Sequence, residues 1–104
     1  MAASRVTLRR MREEDLPQVM VLDALCFSTP WSRATYLSEL KRGKRGHYLV
    51  AEWENKVVGY AGSWIIDKET QITTVGVDPD HRRKGIAERM MIAFIEEAWR
   101  RNLE

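Results

Sequence analysis

The sequence predicts a mixed α/β domain of the α+β kind, ordered strand, helix, helix, three strands, helix. Three observations carry that prediction. Apolar residues recur at helical spacing after Asp15, after Ser32 and after Gly85. Between the second and third of these stretches lie three runs rich in β-branched and aromatic residues. The loops joining those runs are too short for a crossover, so the runs must form an antiparallel meander. The expected sheet is largely antiparallel and flanked by helices.

Taken in order, Val6 and Leu8 alternate with Arg5, Thr7 and Arg9, the pattern of a short half-buried strand. Arg12-Glu13-Glu14-Asp15 opens the first helix. Asp15 is placed to cap it, Pro17 suits the first turn, and Gln18 stands where a capping box needs it. Val19, Leu22 and Cys26 follow at helical spacing, and Met20, Val21 and Leu25 widen the apolar face, so this helix is expected to be well buried. Phe27-Ser28-Thr29-Pro30-Trp31 breaks it. Ser32 reads as the cap of a second helix with Tyr36, Leu37 and Leu40 on one face. Lys41 to Gly46 is a basic, glycine-punctuated loop, read as a solvated turn.

Tyr48 to Trp53 reads as a strand, Glu54-Asn55 as a tight turn, and Val57 to Ile66 as a longer strand. Gly59 and Gly62 inside it point to a bulge or to close packing. Asp67 to Thr70 turns the chain into a last strand, Gln71 to Val77. Gly85 to Arg101 is helical, with Ile86, Met90, Ala93 and Phe94 on one face and Asn102 as its C-cap.

A chain of 104 residues is expected to form one domain, spanning 1–104. With 44% apolar and 31% charged residues it has the composition of a folded protein, not a disordered one. The net charge of +2 is small, and the Arg/Lys clusters lack interleaved aromatics, which argues against direct nucleic-acid binding. A single cysteine excludes an internal disulfide. No apolar run is long enough to span a membrane, and no leader of secretory type is visible, so a cytoplasmic location is expected. No metal-ligand spacing occurs. Cys26 reads as a core cysteine, and His47 and His81 as exposed loop residues.

The segment from Val75 to Arg89 departs from these ordinary patterns. A β-prone run enters an Asp78-Pro79 turn, then Arg82-Arg83-Lys84, then Gly85 and a helix. Helix starts favour acidic residues, because the macrodipole is positive there. Cations at that position oppose the dipole, and a bound polyanion would offset the cost. Gly85 lets an anion approach the backbone with no Cβ in the way, and Ala87 is small for the same purpose. The stretch fits neither the P-loop nor the three-glycine dinucleotide fingerprint.

Arg82-x-x-Gly85-x-Ala87, following Val75-Gly76-Val77-Asp78-Pro79, resembles the acetyl-CoA motif of the GNAT N-acetyltransferases. The element order agrees: in that family the motif follows the fourth strand and opens the third helix. Phe27-Ser28-Thr29-Pro30-Trp31-Ser32 and Ile72 to Pro79 are similar to the ribosomal-protein-alanine branch of the family. The resemblance covers nearly the whole chain but only the N-terminal two-thirds of a complete domain of that family.

The resemblance implies direct acetyl transfer from acetyl-CoA to a protein N-terminal amine, on a ribosomal protein for that branch. It implies that Val75, Gly76 and Val77 pair with the pantetheine arm. It implies that the loop and helix start at Arg82, Arg83, Lys84, Gly85, Ile86, Ala87 and Glu88 hold the diphosphate. The backbone N–H of Val77 is the expected oxyanion donor, and Trp31 a candidate for the acceptor groove. The branch's catalytic Glu and Tyr would fall beyond Glu104, which itself is expected in a loop; Glu69 is the weak carboxylate candidate within the chain. The fourth strand, left as an open edge, would favour a homodimer or strand swap, and weak or no transfer is expected from this chain alone. A family member acting on lysine or a small amine, and a non-catalytic CoA-binding or structural fragment, remain alternatives.

Overall fold

The computed structural model describes residues 6–101. Four strands form one antiparallel sheet in chain order: β1 (Thr7–Arg10), β2 (Gly46–Trp53), β3 (Lys56–Ile66) and β4 (Glu69–Val77). Helices α1 (Leu16–Cys26) and α2 (Arg33–Leu40) separate β1 from β2, and α3 (Ile86–Arg100) follows β4. This is the α+β order read from the sequence, and it makes β4 an edge of the described sheet.

Strand alternation divides the core into two layers. Tyr48, Val50 and Tyr60 pack with Leu16, Val19 and Leu22 of α1 and Tyr36 of α2. Leu49, Ala51 and Ala61 pack on the other face with Ile86, Met90 and Phe94 of α3. Two bulges adjust this pattern. Ala51 pairs with Gly59 and Glu52 with Val57, so Val58 is an extra residue in β3. Val58 and Gly59 therefore both face α3, where Ile86 Cγ2 comes within 3.2 Å of the space a Cβ on Gly59 would fill. In β4, Gly62 pairs with Thr74 and Ser63 with Ile72, which leaves Thr73 as the extra residue.

The tight turn at Glu54-Asn55 has positive φ at both positions, +52° and +64°, the twist a two-residue hairpin needs. The next hairpin is equally tight, so β4 begins at Glu69, two residues before the expected Gln71. Ser32 caps α2 as expected, accepting from Thr35 N at 3.1 Å.

Several expectations need correction. Asp15 makes no side-chain cap on α1. It accepts instead from Arg12 N at 2.7 Å and from both Nη atoms of Arg9, an ion pair that takes its oxygens. Gln18 reaches away from the helix start and accepts from Val57 N at 3.0 Å. Helix α1 is buried on one side only: Val21 is 63% and Leu25 59% exposed. His47 lies in β2 against Phe94, with ring centroids 5.2 Å apart, and burial depresses its pKa. His81 is half-buried against Trp53 in the turn after β4. The basic loop forms a 3-10 turn at Gly43–Arg45, and Arg42 lies over the Trp64 ring at 4.4 Å. The C-cap expected at Asn102 lies outside the described residues.

Candidate functional site

Asp78 N donates to Val58 O at 2.8 Å, which makes these two a hydrogen-bonded pair. In an antiparallel ladder the next residue turns its backbone groups the other way. Val77 and Val75 therefore present N–H and C=O to the open edge of β4. The Val77 carbonyl there accepts from Arg82 Nε at 3.3 Å and from the Cys26 thiol at 3.5 Å. Cys26 is thus half-buried beside the edge strand, at the end of α1, and not in the core as expected.

Beyond β4 the chain makes a 3-10 turn at Pro79–His81, started by Asp78, whose Oδ1 accepts from Asp80 N at 2.9 Å. Arg83 then takes φ +63° and Gly85 φ +75°. Left-handed residues in a loop turn successive N–H groups toward one side, a concavity suited to an anion. No side chain caps α3, so its first N–H groups stay available, and the macrodipole favours negative charge there. Gly85 is required by its own backbone: a side chain at that φ is strained.

The three cations do different things. Arg82 is tied to the Val77 carbonyl and approaches Cys26 Sγ at 3.7 Å. Lys84 Nζ rests over the Trp53 ring, 4.6 Å from its centroid, on a platform that His81 also contacts edge-on at 5.6 Å. Arg83 is exposed and makes no ion pair among the described residues. The collar of free charge expected from the sequence therefore reduces to Arg83, with Arg82 and Lys84 bracing the loop.

On the other side of β4 a cleft of about 340 Å³ is lined by Asp23, Phe27, Thr29 and Trp31 from α1 and the segment after it, and by Ile72 to Val75 of β4. Trp31 also packs on Tyr36, with ring centroids 5.2 Å apart. Two buried carboxylates support this wall. Asp23 accepts from Tyr60 OH and, at 2.8 Å, from Trp31 N. Glu39 accepts from Trp64 Nε1, from Tyr48 OH at 2.5 Å and from Arg42 Nε at 2.9 Å. Burial acts to raise the Glu39 pKa, but these three donors outweigh it and hold the group below its ordinary value. Tyr48 OH has one proton and spends it on Glu39, so the Thr73 hydroxyl, 3.0 Å away, must be the donor to Tyr48. Burial pushes Tyr48, Tyr60 and Tyr36 well above the usual tyrosine range.

The structure thus gathers Val75, Gly76, Val77, Arg82 to Glu88 and Trp31 along one edge and its two flanks. Glu69 is left out: it is exposed at the far end of β4, roughly 25 Å from Val77 at about 3.3 Å per residue. Asp23, Tyr60, Tyr48, Thr73 and Trp53 were not singled out from the sequence. Asp23 did carry a signal, a charge on the apolar stripe of Val19, Leu22 and Cys26. Among the described residues no group of His, Cys, Asp and Glu could hold a metal, and no helix is long and apolar enough to cross a membrane.

Comparison with known proteins agrees with this fold. A Bacillus subtilis protein provisionally named as a ribosomal protein bS18-alanine N-acetyltransferase is 31% identical over 93 residues, covering 89% of this chain and 62% of its own length. The crystal structure of the ribosomal-protein-S18-alanine N-acetyltransferase from Escherichia coli superposes with a TM-score of 0.84 at 23% identity, over 94% of this chain and 62% of that one. PaiA N-acetyltransferase from Thermoplasma acidophilum, solved in complex with coenzyme A, superposes with a TM-score of 0.83 at 14% identity, over 94% of this chain and 74% of that one. At those identities the two superpositions show the fold alone. The chain spans less than two thirds of the Bacillus subtilis and Escherichia coli proteins, 62% of each. The profile of the acetyltransferase (GNAT) family matches residues 16–104, from the start of α1 through α3, so the chain belongs to the GNAT acetyltransferase family.

Proposed function

We propose that this chain carries the cofactor-binding and acceptor-facing parts of an N-acetyltransferase that moves an acetyl group from acetyl-CoA to a protein N-terminal amine. The observation that carries the reading is the pairing of an uncapped helix start, preceded by left-handed Arg83 and Gly85, with the outward-facing backbone of Val75 and Val77. The Arg82 to Glu88 loop takes the diphosphate, with Arg83 as its free cation. Val75, Gly76 and Val77 take the amide-rich arm by strand-like hydrogen bonds. The Trp31 cleft on the α1–α2 side takes the acceptor. The Bacillus subtilis relative, named for alanine acetylation of a ribosomal protein, supports a protein α-amine as acceptor.

In the reaction the neutral amine attacks the thioester carbonyl, a C–N bond forms, and the C–S bond breaks as the amine loses a proton and sulfur gains one. The Val77 N–H, aimed at the open edge, donates to the oxyanion that develops at the carbonyl oxygen. An α-amine, with a pKa of about 7.7–8.0, yields its proton far more readily than a lysine at about 10.4.

The test is calorimetric titration of acetyl-CoA into the chain. Binding is expected, and Gly85→Trp and the double change Arg83→Glu/Lys84→Glu should each weaken it by at least about tenfold. A folded parent that takes up no acetyl-CoA, or variants that bind as the parent does, would remove the cofactor from this loop.

A further inference from the structure

Asp23 is 2% exposed, yet it is the one charged residue lining the acceptor cleft. Its two donors, Tyr60 OH and Trp31 N, are both neutral, and no cation lies within ion-pair reach of it among the described residues. The other buried carboxylates differ. Asp15 is paired with Arg9, and Glu39 with Arg42. Burying a carboxylate without a counter-charge costs several kcal/mol. Tyr60 OH donates to Oδ1 and Trp31 N to Oδ2, so both oxygens serve the loop while the charge itself stays without a counter-ion. A carboxylate offers about four acceptor positions, more than these two donors and the neighbouring Tyr36 hydroxyl fill.

We propose that Asp23 is an ammonium subsite: its carboxylate receives the protonated primary amine of the acceptor and holds it at the β4 wall of the cleft. This rests on the reading of the cleft as the acceptor groove. Phe27, Thr29, Trp31 and Thr73 line the cleft beside the carboxylate. Tyr60 of β3 and Tyr36 of α2 are the titratable groups that face Asp23, with Cys26 acting on Tyr60. Burial pushes both tyrosines upward, so neither competes as an anion.

The probes are Ala-Ala-Ala-amide and propionyl-Ala-Ala-amide, which differ only by the ammonium group. Each is titrated into the full chain by NMR, following the Trp31 backbone amide that donates to Asp23. The charged peptide should shift that resonance and bind at least about tenfold more tightly than the propionyl peptide. Asp23→Asn should abolish the preference, whereas Glu54→Gln, which removes the same charge from the exposed β2–β3 turn, should preserve it. Equal binding of the two peptides by the parent overturns the proposal without recourse to any variant. So does a preference that survives in Asp23→Asn. Acetyl-CoA titration of the same samples keeps the two readings apart. Cofactor uptake without an ammonium preference removes the Asp23 subsite alone, and an ammonium preference without cofactor uptake removes the acetyl-CoA reading alone.

Discussion

Gly62 and Gly76 lie beneath tyrosine rings. A Cβ on Gly76 would stand 2.5 Å from Tyr60 Cε1, and one on Gly62 would stand 2.1 Å from Tyr48 Cε2. With no side chain below, each ring lies across the neighbouring strand. In that position the Tyr60 hydroxyl reaches Asp23, and the Tyr48 hydroxyl reaches both Glu39 and Thr73. The glycines therefore position the polar wall of the cleft although they carry no polar side chain themselves. Gly76→Ala should cost about 1–3 kcal/mol, read as a lower urea midpoint, because the Tyr60 ring must move within a packed core. An unchanged midpoint would mean the ring has room to shift. The need for close packing at Gly62 was legible in the sequence. Its partner was not, because Tyr48 lies on another strand and nothing local records which ring crosses which glycine.

At the scale of elements, Arg9 of β1 joins three parts of the chain. Its Nη atoms pair with both oxygens of Asp15 ahead of α1, at 2.7 and 2.8 Å, and its Nε pairs with Glu52 of β2 at 2.7 Å. Hydrogen bonds from Arg9 lead the causes that hold the Asp15 pKa below its ordinary value. A depressed carboxylate contributes stability that is full above its unfolded pKa and is lost as pH falls through the folded one. The urea midpoint should therefore drop on acidification below about pH 4. Arg9→Met should cost at least about 1 kcal/mol at neutral pH and flatten that acid limb. An acid limb as steep in Arg9→Met as in the parent would assign it to other carboxylates. The same clamp explains where sequence reading stopped. Periodicity and turn chemistry located the helices and the meander, since those signals lie within a few residues of each other. The capping box at Asp15 was a sound local expectation overruled by a partner on another element. The shape of the proposed anion loop was legible from Arg82 to Ala87 because it is set by backbone geometry, which Gly85 announces. The bracing of Lys84 by Trp53 depends on residues 31 positions apart and left no local trace.

At the largest scale, β4 forms an edge of the sheet among the described residues. Val75 and Val77 turn backbone groups outward, with the Val77 carbonyl taken by Arg82 and Cys26, and a second groove of about 370 Å³ lies between the Thr70–Ile72 end of the strand and α3. Ile72, Ile95 and Trp99 line that groove and are 46%, 51% and 74% exposed. An apolar edge strand of this kind pairs readily with another strand. We propose that a second copy of the chain occupies it, β4 against β4, with the apolar side chains meeting across the junction. Sedimentation should show a concentration-dependent dimer, and Ile72→Lys, which places a charge on the edge, should return it to monomer. The proposed acetyl-CoA arm uses the backbone of the same strand, so the two occupants exclude each other. Linkage then requires added acetyl-CoA to shift the parent toward monomer, and higher protein concentration to weaken apparent cofactor affinity. A monomer at every concentration would leave β4 free for the cofactor alone. A dimer indifferent to saturating acetyl-CoA would place the contact between copies on some other surface.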